Sequence, residues 1–310
     1  MHSLKNKRIA ITGGGGFLGS WVVHELEKQG AKNIIVPRSN KYDFRKKSAC
    51  ERLAKQSDYI IHLAAYVGGI GLNQKYPGRL FYENALMGIQ LIEAARKYNV
   101  SKILITGTAC SYPKKTPIPF KEKNFWDGYP EEVTGMYGIA KKMLLVQADA
   151  YRKEYNLNTI YIIPTNLYGP GDNDDPQSGH VIPSLIYRMI EARKNNDPEF
   201  IVWGTGGATR DFLYAPDAAC ALIQALKYYN EPEPLNIGSG TETKIRELIK
   251  ILKKHIGYTG KIVWDRTKPD GQKRRVMDIT NAKIAFGFKP QTSLEEGLKE
   301  TIAAYIQKHA

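Results

Sequence analysis

Residues 12–19 read TGGGGFLG. They follow the apolar run RIAIT at 8–12 and precede a stretch of helical spacing at 18–29. Gly13, Gly16 and Gly19 thus fall on a strand-to-helix junction in the spacing GxxGxxG. A tight turn needs glycine, a phosphate approaches the backbone closely only where side chains are missing, and the helix amino end favours an anion. Phe17 and Leu18, within the same turn, are expected to meet the cofactor with them. A bare three-glycine pattern also fits a flexible turn. Its place at the first strand–helix junction makes a dinucleotide pyrophosphate the expected occupant.

The rest of the chain supports such a frame. Short apolar runs at 8–12, 33–36, 59–63, 102–106 and 159–164 alternate with helical stretches at 18–29, 83–98 and 136–155. Near-continuous apolar runs are the pattern of strands covered on both faces. Alternation of β and α predicts an α/β fold with a doubly wound parallel sheet, a Rossmann arrangement. After Asn166 the texture changes to LYGPGDNDDPQSG, which reads as loop. Beyond it come helices at 181–194 and 216–229 and a strand at 200–203. The expected division is a dinucleotide-binding domain over residues 1–165, with return segments near 211–230. Residues 166–310 would mainly form a smaller α/β substrate domain.

Composition narrows the function classes. The 310 residues carry 45 basic and 31 acidic side chains, a net charge of +14. Such a balance suits anionic partners, from phosphorylated metabolites to nucleic acid. The charge is spread in short runs, so no nucleic-acid partner is expected. Cys50, Cys110 and Cys220 are far apart, with no CxxC or Cys/His cluster, which argues against a disulfide framework or a metal site. There is no apolar run long enough to span a membrane and no signal core in MHSLKNKRIAITG. A cytoplasmic location away from membranes is therefore expected.

The second apolar run ends IIVPRSN. A site for NAD usually has an acid here, on the ribose 2′-hydroxyl. Arg38 and Ser39 stand there instead, and arginine suits a 2′-phosphate. NADP(H) is expected, with NAD(H) as the alternative. Asp43 lies close enough in sequence to face the adenine edge.

Two short motifs carry the chemistry. In YGIAK at 137–141, Tyr137 and Lys141 lie one helical turn apart on one face. A nearby ammonium would lower the phenol's pKa and let it exchange a proton with a substrate oxygen. In GTACSYP at 107–113, Thr108 and Cys110 follow the fourth strand. Taken alone, Cys110 reads as a small buried residue and His180, in SGHVIP, as a cap or surface histidine.

These motifs resemble the extended short-chain dehydrogenase/reductase family. HLAAYVGG at 62–69, GTACSYP, PTNLYGPGDN at 164–173, GHVIP at 179–183, VWGTGGATRDFLY at 202–214 and KPDG at 268–271 resemble one branch of it, the epimerase/reductases that make GDP-L-fucose. The resemblance runs nearly end to end. It implies a GDP-4-keto-6-deoxy-mannose-type substrate, inversion at C3 and C5, and hydride transfer from NADPH to C4. Thr108, where the family has serine, Tyr137 and Lys141 would surround the C4 oxygen, and Cys110 and His180 would carry the protons. Leu63, Ala64 and Ala65, then Pro164, Asn166 and Leu167, and also His180, would line the cofactor. Asn166, Val181, Arg188, Trp203, Arg210, Asp270 and Arg275 would meet the GDP-sugar, Arg275 where the family has lysine. A homodimer through the helices at 83–98 and 136–155 is implied as well.

Two departures stand out. Gly15 occupies a loop position that is basic in some relatives, and GDNDDPQSG differs from the loop common in that branch. A related GDP-keto sugar, such as a heptose, is the alternative substrate. Loss of one of the two activities, or a non-catalytic dinucleotide- or RNA-binding protein, are the other readings.

Overall fold

The computed structural model describes residues 4–175, 179–268 and 272–309. Five runs form strands: β1 (Arg8–Thr12), β2 (Asn33–Ile35), β3 (Tyr59–His62), β4 (Lys102–Thr106) and β5 (Thr159–Pro164). With β10 (Leu235–Ile237) they make one parallel sheet in the order β10-β5-β4-β3-β1-β2. Successive side chains point to opposite faces. Ile103 and Ile105 of β4 therefore join the core on one side, and Leu104 joins the core on the other.

Helices cover both faces. Buried residues of α2 (Lys47–Ala54), α4 (Pro77–Lys97) and α5 (Gly135–Tyr155) fill one side. Those of α1 (Phe17–Lys28), α7 (Ala215–Tyr228) and α9 (Thr280–Phe286) fill the other. The helix expected at 83–98 begins six residues earlier, because Pro77 sits in the first turn, where a missing N–H costs nothing. A short helix α3 (Ile70–Lys75) precedes it.

A second core lies beyond β5. It gathers residues of α6 (Val181–Lys194), β7 (Glu199–Trp203), α8 (Ile245–Ile256) and α10 (Leu294–Lys308). Two-stranded pairings frame it: β6 (Asn166–Tyr168) with β9 (Phe212–Tyr214), β7 with β12 (Lys261–Asp265), and β8 (Thr209–Arg210) with β11 (Thr243–Lys244).

Asp211 ties these parts together. Its carboxylate is fully buried and accepts bonds from Ser239 N (2.8 Å), Ser239 Oγ (2.6 Å) and Met277 N (3.1 Å). Its carbonyl accepts from Thr165 Oγ1 (3.1 Å) and Asn166 Nδ2 (3.0 Å). Burial pushes the carboxyl pKa up, against the pull of those donors. Removing the carboxylate strands several buried donors, each worth about 1–3 kcal/mol. Asp211→Ala should lower unfolding stability by about 3 kcal/mol, read as a drop in the urea midpoint; an unchanged midpoint would mean that the hub holds nothing.

Candidate active site

The turn after β1 is built without side chains. Gly13 adopts φ +74°, and a Cβ there would meet Ala64 N at 2.9 Å. A Cβ on Gly19 would collide with the Gly13 carbonyl, so α1 can start this close to β1 only with glycine. A Cβ on Gly15 would run into the Arg38 guanidinium, which lies over the loop from the end of β2. On the facing strand end, Thr12 Oγ1 bonds His62 Nδ1 (2.8 Å) and accepts from Ala64 N (3.2 Å). Burial, then the charge of Lys141, holds the His62 pKa well below its ordinary value. The turn, Arg38 and the amino end of α1 thus fit a dinucleotide phosphate. Asp43 sits beside them, gripped by Arg45 through Nε (2.8 Å) and Nη2 (3.1 Å), which lowers its pKa.

The end of β4 is pinned to α5. Ser111 Oγ donates to Gly138 O (2.8 Å), and a Cβ on Gly138 would strike the Cys110 carbonyl. Tyr161 OH donates to Lys141 O (2.8 Å), and its ring fills the space above Gly107. Thr108 Oγ1 accepts from Cys110 N (3.2 Å), starting a single 3-10 turn at Ala109–Ser111. Thr108, Cys110, Tyr137 and Lys141 thereby share one wall.

Their electrostatics differ from the sequence expectation in one respect. Burial pushes the Tyr137 phenol pKa up rather than down, with the Cys110 thiol acting in the same direction. Burial also pushes Lys141 down, to about 8. Desolvation outweighs any mutual attraction, so each group moves toward its neutral form.

His180 stands at the amino end of α6 without a side-chain capping bond, and it lines the same cleft. Its Nδ1 lies 3.1 Å from Asp172 Oδ1 and 3.3 Å from Oδ2. The hydrogen bond to Asp172 raises its pKa, against burial. Arg188, Arg210 and Arg275 line the same cleft. Arg188 Nη2 donates to Ile201 O (2.6 Å), and Arg210 Nη1 donates to Gln272 O (2.6 Å). Arg275 holds Gln272 Oε1 (3.0 and 2.9 Å) and directs Nη1 at Cys110 Sγ (3.8 Å). Trp203 is largely exposed there, with Lys268 Nζ 5.8 Å from its ring centroid.

A single cleft of about 2320 Å³ collects these groups. It exceeds the ordinary ligand pocket by a factor of two or more, which is room for a dinucleotide and a second nucleotide together. Gly13, Gly16, Phe17, Leu18, Gly19, Arg38, Ser39 and Asp43 line it. Leu63, Ala64, Ala65, Pro164, Asn166, Leu167, Val181, the three arginines and Trp203 line it too. Asp270 lies outside the described residues. Sequence reasoning missed Asp172, Thr106, Thr134 and the 66–69 loop, which also line the cleft. The motif HLAAYVGG carried a signal for that loop. Among the described residues, no group of three or more His, Cys, Asp or Glu is placed to hold a metal ion.

Residues 9–238 match the NAD dependent epimerase/dehydratase family. GDP-L-fucose synthase 1 of Arabidopsis thaliana is 38% identical over 306 residues, covering 98% of this chain and 94% of its own. An NADP-bound GDP-L-fucose synthetase from Naegleria fowleri is 27% identical with a TM-score of 0.89, over 98% of this chain and 95% of that one. A GDP-6-OMe-4-keto-L-xylo-heptose reductase from C. jejuni is 23% identical with a TM-score of 0.92, over 98% and 99%, and shows the fold.

A lysine whose folded pKa lies below its unfolded value costs stability wherever both states are charged. For Lys141 that is below pH 8, and the cost fades as pH rises from 8 toward the ordinary 10.5. Lys141→Met should therefore unfold at higher urea than the parent near pH 7, with the gap closing by pH 10.5. An equal gap at both pH values would contradict the buried charge.

Proposed function

The chain belongs to the NAD dependent epimerase/dehydratase family, and on that premise we propose that it is an NADPH-dependent epimerase/reductase converting GDP-4-keto-6-deoxy-mannose to GDP-L-fucose. One observation carries the reading: a hydroxyl–phenol–ammonium set and a thiol–imidazole set line the same cleft. A simple reductase needs only the first. Relatives named for GDP-L-fucose synthesis match nearly the whole chain, and the match spans nearly the whole of them.

The mechanism follows from the chemistry of a C4 ketone, which acidifies the protons on C3 and C5. Cys110 as thiolate takes a proton from one face, and the electron pair left behind moves onto the C4 oxygen. Thr108 Oγ1 and the Tyr137 hydroxyl donate to that oxygen. His180 returns a proton to the opposite face and inverts C3; Cys110 then releases its proton to solvent and His180 takes one up, which restores the pair for the same exchange at C5. Arg275, beside the sulfur, balances the thiolate's charge. NADPH, when bound, supplies the hydride that reduces C4. Tyr137 gives its proton to the C4 oxygen in that step, and Lys141 offsets the charge left on the phenol. Burial favours the neutral, proton-bearing form of the phenol.

Residues 1–165, with their return segments, hold the cofactor in this reading, and 166–310 mainly hold the GDP-sugar. Arg38 would take the 2′-phosphate, its guanidinium filling the space that Gly15 leaves. Arg188, Arg210 and Trp203 offer charge and a flat ring to the diphosphate and base. Val146 and Tyr155 of α5 and Tyr82 of α4 are exposed apolar side chains, which supports a homodimer through these helices. A cytoplasmic site suits Cys110, which must stay a free thiol. A related GDP-keto sugar is the second reading; the loop GDNDDPQSG favours it.

The direct assay adds GDP-4-keto-6-deoxy-D-mannose and follows NADPH absorbance, with GDP-L-fucose identified by NMR. NADPH left untouched by that sugar, but oxidised with a GDP-keto-heptose, would shift the reading to the second substrate. Cys110→Ser should keep the fold and NADPH binding and lose most of the epimerised product; normal product yield would make Cys110 a packing residue. Arg38→Ala should raise KM for NADPH roughly 10- to 100-fold, as expected for a lost charge-assisted bond, and leave NADH nearly unchanged. Equal effects on both cofactors would remove Arg38 from the 2′-phosphate.

A further inference from the structure

We propose that Asp172 is the positioning residue of His180: it binds Nδ1, fixes the ring against rotation and leaves Nε2 as the nitrogen that exchanges a proton with the sugar. The inference rests on the reading of His180 as a proton carrier.

The geometry is that of a built pair. The Asp172 side chain is 2% exposed, whereas the His180 side chain is 44% exposed. Both carboxylate oxygens lie within 3.3 Å of Nδ1, and Asn173 N donates to Oδ1 (2.8 Å). A buried carboxylate is retained only with such partners. Its backbone is held from elsewhere: Tyr305 OH on α10 donates to Asp172 O (2.8 Å), and Trp21 Nε1 on α1 donates to Pro170 O (3.1 Å). Asp174, the next acid along, is paired with Lys308 and His309 (both 2.8 Å). Asp172 is thus the carboxylate that faces the ring, carried on a loop gripped by both cores. A bond to Nδ1 fixes the tautomer and stabilises the protonated ring, which is what a proton donor needs.

The test measures deuterium uptake at C3 and C5 of GDP-4-keto-6-deoxy-D-mannose by the full-length enzyme in heavy water with NADPH. Asp172→Asn should slow uptake about 100-fold, the scale of a misplaced acid–base group. KM for NADPH should stay unchanged. The alkaline limb of the uptake profile should move to lower pH, since an imidazole without its carboxylate loses its proton sooner. Asp172→Glu should recover part of the rate. The double variant with His180→Gln should be no slower than His180→Gln alone, because both changes remove one function. Losses that multiply, or Asp172→Asn uptake at the parent rate with an unmoved limb, would overturn the proposal. Should Asp172→Asn not fold, NMR titration of the parent decides: the His180 ring should titrate above an ordinary histidine, and titration at or below that value sinks the pairing. No uptake by the parent enzyme would instead defeat the underlying reading of the reaction.

Discussion

The site depends on how tightly the end of β4 is fastened to α5. Ser111 reaches across to Gly138, Tyr161 of the neighbouring β5 bonds Lys141 O and packs over Gly107, and Gly138 leaves no room for a side chain against the Cys110 carbonyl. These contacts set the distance between a thiol on a strand end and a phenol on a helix. Neither α5 nor the 3-10 turn could hold that geometry alone, since a short turn frays and a helix face is only a surface. The fastening is buried, so it is paid for by the same core that stabilises the sheet.

Burial then sets the chemistry. Inside this wall the phenol and the ammonium both drift toward neutrality, which keeps the proton on Tyr137 and weakens the hold of Lys141 on its own. His180 moves in the opposite sense because a carboxylate is bonded to it. One cleft therefore contains donors of different strength, separated by what surrounds each rather than by residue type. Reduction and epimerisation make different demands, and the arrangement can serve both.

Much of the frame was legible in the chain. Apolar runs of five or six residues and the glycine junction carried β1, β4, β5 and the turn, because strands covered on both faces have almost no freedom of composition. The three-residue β10 and the return of α9 to the first core were not legible; LNI is too short to declare itself. Beyond the glycine loop, Arg38 and Ser39 were read from the end of a strand and Tyr137 with Lys141 from helical spacing, whereas Cys110, His180 and the GDP-sugar set were read only through motif resemblance. Asp172 was missed because its partner lies eight residues away across a loop, where spacing says nothing about contact. Arg275 was expected to meet the GDP-sugar through resemblance alone, and its contact with Cys110 Sγ was not legible because the two lie 165 residues apart in the chain. The direction of the Tyr137 shift was reversed because sequence shows the neighbouring lysine and not the depth of burial.

The most direct measurement of the central claim labels both reactions in one product. The enzyme is run in heavy water with unlabelled NADPH, and in ordinary water with NADPH deuterated at the transferred position. If one cleft performs both steps, the GDP-L-fucose formed carries two solvent deuterons, at C3 and C5, in the first run and one cofactor deuteron, at C4, in the second. A product that carries the cofactor label at C4 but no solvent label would show a reductase alone and contradict it.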